Sequence, residues 1–246
     1  MRHMGGLMDQ WVRSIQVSDT DLDSLPLEGH PFGTPAESLG TLKRPSEFEQ
    51  RVSRSQPENM VIKSSGYDGV IVPEGFYHLT EALEMMVADQ MVVNPLFRHA
   101  KVELTYRQNP TPQEPTRVVH ADPSRTDNAA EEDYVYFLSN IQGTIAQAQY
   151  VRDPAMTLNK MKPEAMVEEG LMRQAGPFEM LRGRQSTYHT QGAAVLQGGR
   201  TFVRLIVTHP DADYFRSLPV AEQATLPEEF RDRLGIVIPS REHGLH

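Results

Sequence analysis

The sequence predicts a mainly β protein with flanking helices, whose core is an antiparallel sandwich or barrel. After Pro95, seven short segments follow one another in which apolar and β-branched residues alternate with polar ones between turn signals. Few helical patterns separate them, which disfavours a parallel sheet built on crossover helices. With 246 residues, 39% of them apolar, the chain is long enough for one large domain with its own core.

Residues 18–58 are dense in Pro, Gly, Ser and charge, and read as an irregular arm with little regular structure. In "PEGFYHLTEALEMMVADQMVVNP" (73–95), Phe76, Leu79, Leu83, Met86, Val87 and Met91 recur at three- and four-residue steps and Pro95 closes the pattern. This spacing predicts an amphipathic helix whose methionines fill the core. The expected strands are "KVELTYR" (101–107), "RVVHAD" (117–122), "YVYFLS" (134–139), "TIAQAQYV" (144–151), "FEMLRG" (178–183), "STYHTQGAAVL" (186–196) and "RTFVRLIVTH" (200–209). Gly198-Gly199 joins the last two and can take the positive φ of a tight hairpin turn, so those strands are expected to pair. "PVAEQATLPEEFRDRLG" (219–235) predicts one or two short helices outside the sheet. The organisation is thus a single domain over 1–246: an arm and helix in 1–98, the β core in 99–210, and a helical tail in 211–246.

Composition excludes several function classes. The net charge is −9, with 33 acidic against 24 basic residues, and phosphate neutralisation needs the opposite balance. Nucleic acid is therefore not an expected partner. The chain has no cysteine, which removes disulfides, thiolate nucleophiles and zinc–cysteine sites and fits a reducing compartment. No run of about 18 apolar residues offers a membrane span, and the first residues lack the apolar core of a signal peptide. A cytoplasmic protein acting on a small molecule is expected.

The candidate chemistry begins at His120-Ala121-Asp122. Residues two apart on a strand project to the same face, so both side chains can reach one ion. A strand-end histidine and an aspartate capping the turn at Pro123 would look the same, and a third ligand is needed to decide. His189, on a later strand, is that candidate. Two imidazoles and one carboxylate make the facial set that holds ferrous iron and leaves positions open. Arg200 and Arg204 share a face of one strand with Phe202 and Ile206. If that face is interior, the arginines demand anionic partners, because an unpaired buried charge is costly. If it is exterior, Thr201, Val203, Leu205 and Val207 form the core face instead. A second H-x-D, His209-Pro210-Asp211, falls at a turn and reads as structural.

His120-x-Asp122, His189 and Arg200 eleven residues later, with "YVYFLSNIQGT" and "GPFEMLRGRQSTYHTQG" around them, resemble the Fe(II)- and 2-oxoglutarate-dependent dioxygenases over residues 101–208. The resemblance implies a double-stranded β-helix, a cupin-like jelly roll, with iron held by His120, Asp122 and His189. It implies that Arg200 clamps the far carboxylate of the cosubstrate 2-oxoglutarate, a task suited to the guanidinium fork. Arg204 takes second rank, for a substrate acid or the inner carboxylate. Tyr106, Tyr134, Tyr136 and Gln147 could donate hydrogen bonds to 2-oxoglutarate, with Tyr136 and Tyr106 put forward as cofactor-binding.

The implied reaction consumes O2, converts 2-oxoglutarate to succinate and carbon dioxide, and oxidises a small polar metabolite such as an amino acid, usually by hydroxylation. The distal histidine is followed by Thr190-Gln191 rather than an Arg-Gly-like turn, and the acidic loop "PSRTDNAAEED" after the H-x-D becomes a candidate substrate rim. Two alternatives remain: a noncatalytic jelly roll that binds a ligand, and a metal cupin enzyme independent of 2-oxoglutarate, against which the lack of any H-x-H counts.

Overall fold

The computed structural model describes residues 33–48, 58–67, 69–109, 119–121, 132–191 and 200–239. Nine strands are named among them: β1 (Glu37–Thr41), β2 (Glu58–Lys63), β3 (Lys101–Asn109), β4 (Tyr134–Ser139), β5 (Thr144–Gln147), β6 (Met172–Gln174), β7 (Glu179–Arg184), β8 (His189–Gln191) and β9 (Arg200–Thr208). They form a six-stranded sheet in the order β1-β7-β4-β9-β3-β2 and a three-stranded sheet in the order β6-β5-β8. All recorded pairings are antiparallel. A bridge from His120 to His189 adds a further segment beside β8.

Counting that segment, the chain from residue 101 to 208 crosses repeatedly between the sheets. Its first, eighth, third and sixth core segments lie side by side as β3-β9-β4-β7. Its second, seventh, fourth and fifth do so as His120, β8, β5 and β6. That interleaving makes the core a jelly roll, as expected. β1 and β2 extend the two edges of the larger sheet.

Register partners share a face, so the pairings sort the side chains. Phe137 faces Leu181 and Arg204, and with Val135, Ala146 and Ile206 it fills the space between the sheets. On the other side of the larger sheet, Leu104, Tyr106, Tyr134, Tyr136, Val203, Leu205 and Val207 pack against helix residues Leu79, Leu83 and Met86. The helices are α1 (Pro45–Phe48), α2 (Thr80–Val93), α3 (Pro154–Leu158), α4 (Pro163–Glu168), α5 (Ala212–Ser217), α6 (Val220–Gln223) and α7 (Glu228–Leu234). Leu158 of α3 and Met166 of α4 cover Ile145 and Val119 on the outside of the smaller sheet. The last helices build a separate cluster around Phe215, Leu226 and Phe230. No helix among the described residues is long and apolar enough to cross a membrane.

Four expectations need correction. The arm is not wholly irregular: β1 lies within it, because Glu37–Thr41 pairs with the outer edge of β7. Among the described residues, the strands on either side of the glycine turn do not pair with each other. Both edges of β9 are taken, by β3 along its full length and by β4 over Phe202–Val207, which leaves no edge for β8; residues 192–199 lie outside the described residues. Met91 is 71% exposed, since the buried stripe of α2 runs Ala82, Leu83, Met86, Gln90. The strand expected over 144–151 ends at Gln147, after which the Ala148 amide turns to the carbonyl of Leu171.

Candidate active site

His120 and His189 meet because their strands pair. Each donates its backbone N–H to the other's carbonyl, at 3.0 and 2.8 Å, and directly opposed residues present their side chains to one side. The ring centroids are 4.6 Å apart. His189 is also opposite Ala146, whose methyl belongs to the inter-sheet cluster, so both imidazoles open toward the interior of the roll. The Phe137 ring stands 4.5 Å from His189 and supplies an apolar wall.

The tautomer of His189 follows from its neighbour. Its Nδ1 lies 3.1 Å from the Thr187 carbonyl, which can only accept, so Nδ1 carries the proton and the lone pair is on Nε2. That is the state a metal ligand needs, with the other nitrogen fixed by a hydrogen bond. Thr187 is itself fastened, its hydroxyl accepting the Arg184 amide at 2.7 Å. Gly183 makes room for this turn: a Cβ there would meet Thr187 Oγ1 at 2.8 Å.

Among the described residues no third His, Asp or Glu joins the pair as a metal-holding group. The expected third ligand, Asp122, and the acidic loop lie outside the described residues. The donor chemistry present, two neighbouring imidazoles with one tautomer set for ligation, fits a divalent first-row metal.

Arg200 opens β9 and is 7% exposed. Its guanidinium lies over the Phe202 ring, 4.7 Å from the centroid, and its Nε donates to Ser139 Oγ at 3.5 Å. Gly143 borders it closely, since a Cβ there would sit 3.2 Å from Nη2. Among the described residues no carboxylate pairs with Arg200. Burial, and then the nearby charge of Arg107, lower its pKa from 12.5 to about 10. A buried guanidinium without a counter-ion beside a second cation is the electrostatic outline of an anion site. Arg204, two face-repeats along, lies opposite Thr105 and Phe137, on the same interior face. The interior alternative for that strand face is therefore the observed one.

The structure does not bring the expected tyrosines to the histidines. Tyr106 packs edge-on against Phe76 and His78, and Tyr136 reaches into α2, donating to Asp89 at 2.6 Å and accepting from Gln90 at 2.5 Å. Alternation decides this: with Phe137 inside, Tyr136 must face the helix, and Tyr106 pairs in register with Val203 on that same face. Tyr134 likewise donates to the Val93 carbonyl. Gln147 is spent on backbone, its Nε2 donating to the Gln149 carbonyl at 2.9 Å.

Tyr136 belongs to a chain of hydrogen bonds that runs from the surface at Glu37 into the core at Gln90. Arg182 bridges Glu37 and Asp89, each at 2.6 Å; Gln90 receives a bond from Asn94, and Asn94 receives one from His209. Burial and then Asp89 push the Tyr136 hydroxyl far above its usual range. Burial alone would lower the Arg182 pKa, but Glu37 and Asp89 outweigh it and raise it. The second H-x-D is structural, with Asp211 capping α5 by accepting the Tyr214 amide at 2.8 Å.

The sequence reading missed Arg107. It pairs with Phe202 in register, so it shares the interior face with Arg200. The signal was available: Glu103, Thr105 and Arg107 alternate with the apolar Val102, Leu104 and Tyr106, but only the pairing tells which face is inside.

Fold and site together define a jelly roll with paired histidines and a buried arginine inside it. No protein-family model matches the sequence, and no curated protein matches it either. Among solved structures it is similar to EvdO2 from Micromonospora carbonacea var. aurantiaca complexed with 2-oxoglutarate (9% identity, TM-score 0.41, 79% of this chain and 92% of that one). It is also similar to SnoK, a non-heme alpha ketoglutarate dependent carbocyclase from nogalamycin biosynthesis (12%, 0.40, 76% and 85%). A cupin protein from Bacteroides fragilis is matched at 10% identity and TM-score 0.26, over 44% of this chain. The chain spans 65% of that cupin and 48% of EvdMO1. At such identities and TM-scores, no residue role or reaction passes from these proteins to this chain.

Proposed function

We propose that this protein is an Fe(II)- and 2-oxoglutarate-dependent oxygenase acting on a small polar metabolite such as an amino acid or derivative. The observation that carries the reading is the pairing of His120 with His189 on the interior face of a roll that also buries Arg200 with no carboxylate beside it among the described residues. His120, Asp122 and His189 hold the metal, and Arg200 takes the far carboxylate of 2-oxoglutarate. When bound, iron with 2-oxoglutarate supplies the means to activate O2 and oxidise a C–H bond, releasing succinate and carbon dioxide.

The chain's own groups orient and shield. The Thr187 carbonyl holds the proton of His189 on Nδ1, which leaves the Nε2 lone pair to ligate a metal. Phe137 lies against the His189 imidazole, which is buried, and shields it from water. Arg204, on the same face, is placed to read an acidic group of the substrate.

The test is anaerobic addition of Fe(II) and 2-oxoglutarate to wild type and His189→Ala. The weak visible charge-transfer band of the chelate is expected in wild type and lost in the variant. No band, and no succinate in air across a substrate screen, would refute the reading.

A further inference from the structure

The arginine that sequence reading overlooked has no role in the account so far. Arg107 and Arg200 stand on neighbouring antiparallel strands, β3 and β9. Arg107 is directly opposite Phe202, and Arg200 is two residues from Phe202, so the two arginines are diagonal neighbours on one face. Such positions lie about 7–8 Å apart at the backbone, within reach of long side chains meeting over one group. The Arg200 guanidinium lies over the Phe202 ring, and Phe202 is the register partner of Arg107. Gly143 and Ser139 close the opposite side without adding a negative charge.

We propose that Arg107 and Arg200 together bind one carboxylate, and that Arg107 is what makes the site demand a dicarboxylate rather than any 2-oxo acid. This rests on the oxygenase reading for its ligand. Without a ligand the pair repels itself; Arg200 is held near Arg107 at a cost that an anion between them removes. A second guanidinium adds a charge-assisted bond to a carboxylate, which the aliphatic tail of a monocarboxylate cannot accept. Arg107 is exposed, so it also meets the incoming anion first.

The experiment measures calorimetric binding of 2-oxoglutarate, and of 2-oxopentanoate, which lacks the far carboxylate, with Mn(II) in place of iron. Wild type, Arg107→Gln and Arg107→Lys are compared. Arg107→Gln is expected to weaken 2-oxoglutarate about tenfold, the loss of one hydrogen bond to a charged group, and to leave 2-oxopentanoate unchanged. Arg107→Lys should recover part of the loss. Equal 2-oxoglutarate binding by wild type and Arg107→Gln, or equal weakening of both acids, overturns the role of Arg107 while the oxygenase reading stands. Failure of wild type itself to bind 2-oxoglutarate overturns the oxygenase reading and this inference with it.

Discussion

Arg200→Met should make the ligand-free protein more stable. In the fold Arg200 is 7% exposed, its guanidinium has no carboxylate among the described residues and feels Arg107, and its pKa falls from the usual arginine value to about 10. That difference corresponds to about 3 kcal/mol by which the charged side chain disfavours the native state. The folded value is the depressed one, so the cost is present in full below pH 10 and is relieved as pH rises from 10 toward 12.5. Methionine keeps the length and removes the charge, but forfeits the Phe202 contact, about 1 kcal/mol. A net gain of about 1–2 kcal/mol remains, and at about 2–4 °C per kcal/mol for a chain of this size the melting temperature rises by a few degrees. The assay is thermal unfolding at pH 7 with and without 2-oxoglutarate and Mn(II). Wild type should gain about 2.7 kcal/mol at a ligand concentration one hundred times Kd, and the variant should gain far less. A variant that melts below wild type without ligand would show that Arg200 has a structural partner, and the anion-site argument would fail.

Two further predictions concern the helix-facing side. Burial first, then Arg184 and Lys63, lower the His209 pKa from 6.5 to about 3, so the unfolded chain takes up a proton that the folded chain refuses. Stability is then full above pH 6.5 and falls by about 1.4 kcal/mol per pH unit on the way to pH 3. Urea titrations of His209→Gln should show a shallower acid slope than wild type, and parallel slopes would rule this out. Asp89→Asn strips the partly buried carboxylate that accepts from both Arg182 and Tyr136. It should cost about 3–5 kcal/mol in denaturant melts, with 2-oxoglutarate affinity unchanged because the network lies on the opposite face of the sheet; a loss under 1 kcal/mol would count against a tight network.

Local patterning made much of the fold legible. "YVYFLS" is bounded as β4 is, and "KVELTYR" and "RTFVRLIVTH" fall on β3 and β9, because β-branched and aromatic runs between turn residues leave few other options. The hairpin failed because Gly198-Gly199 permits a turn but does not supply a free strand edge. β1 escaped notice because "ESLGT" is mostly exposed and gains its strand form from the edge of β7. In the site, His120 and His189 were readable as a pair from their residue types and order. Tyr106 and Tyr136 were misplaced, since YVYF puts four bulky residues in a row and leaves the inward face undetermined.

By itself the sequence determined a β-rich fold, the absence of thiol chemistry, and a short set of candidate histidines, aspartate and arginines, because these depend on composition, short-range periodicity and side-chain chemistry. Only the tertiary structure decided that β9 lies between β3 and β4, that His120 faces His189, and that Arg107 shares a face with Arg200 while the tyrosines turn to α2. The reason is that strand side chains alternate between two faces. Which face is interior is a property of the partner strands, and those come from distant parts of the chain.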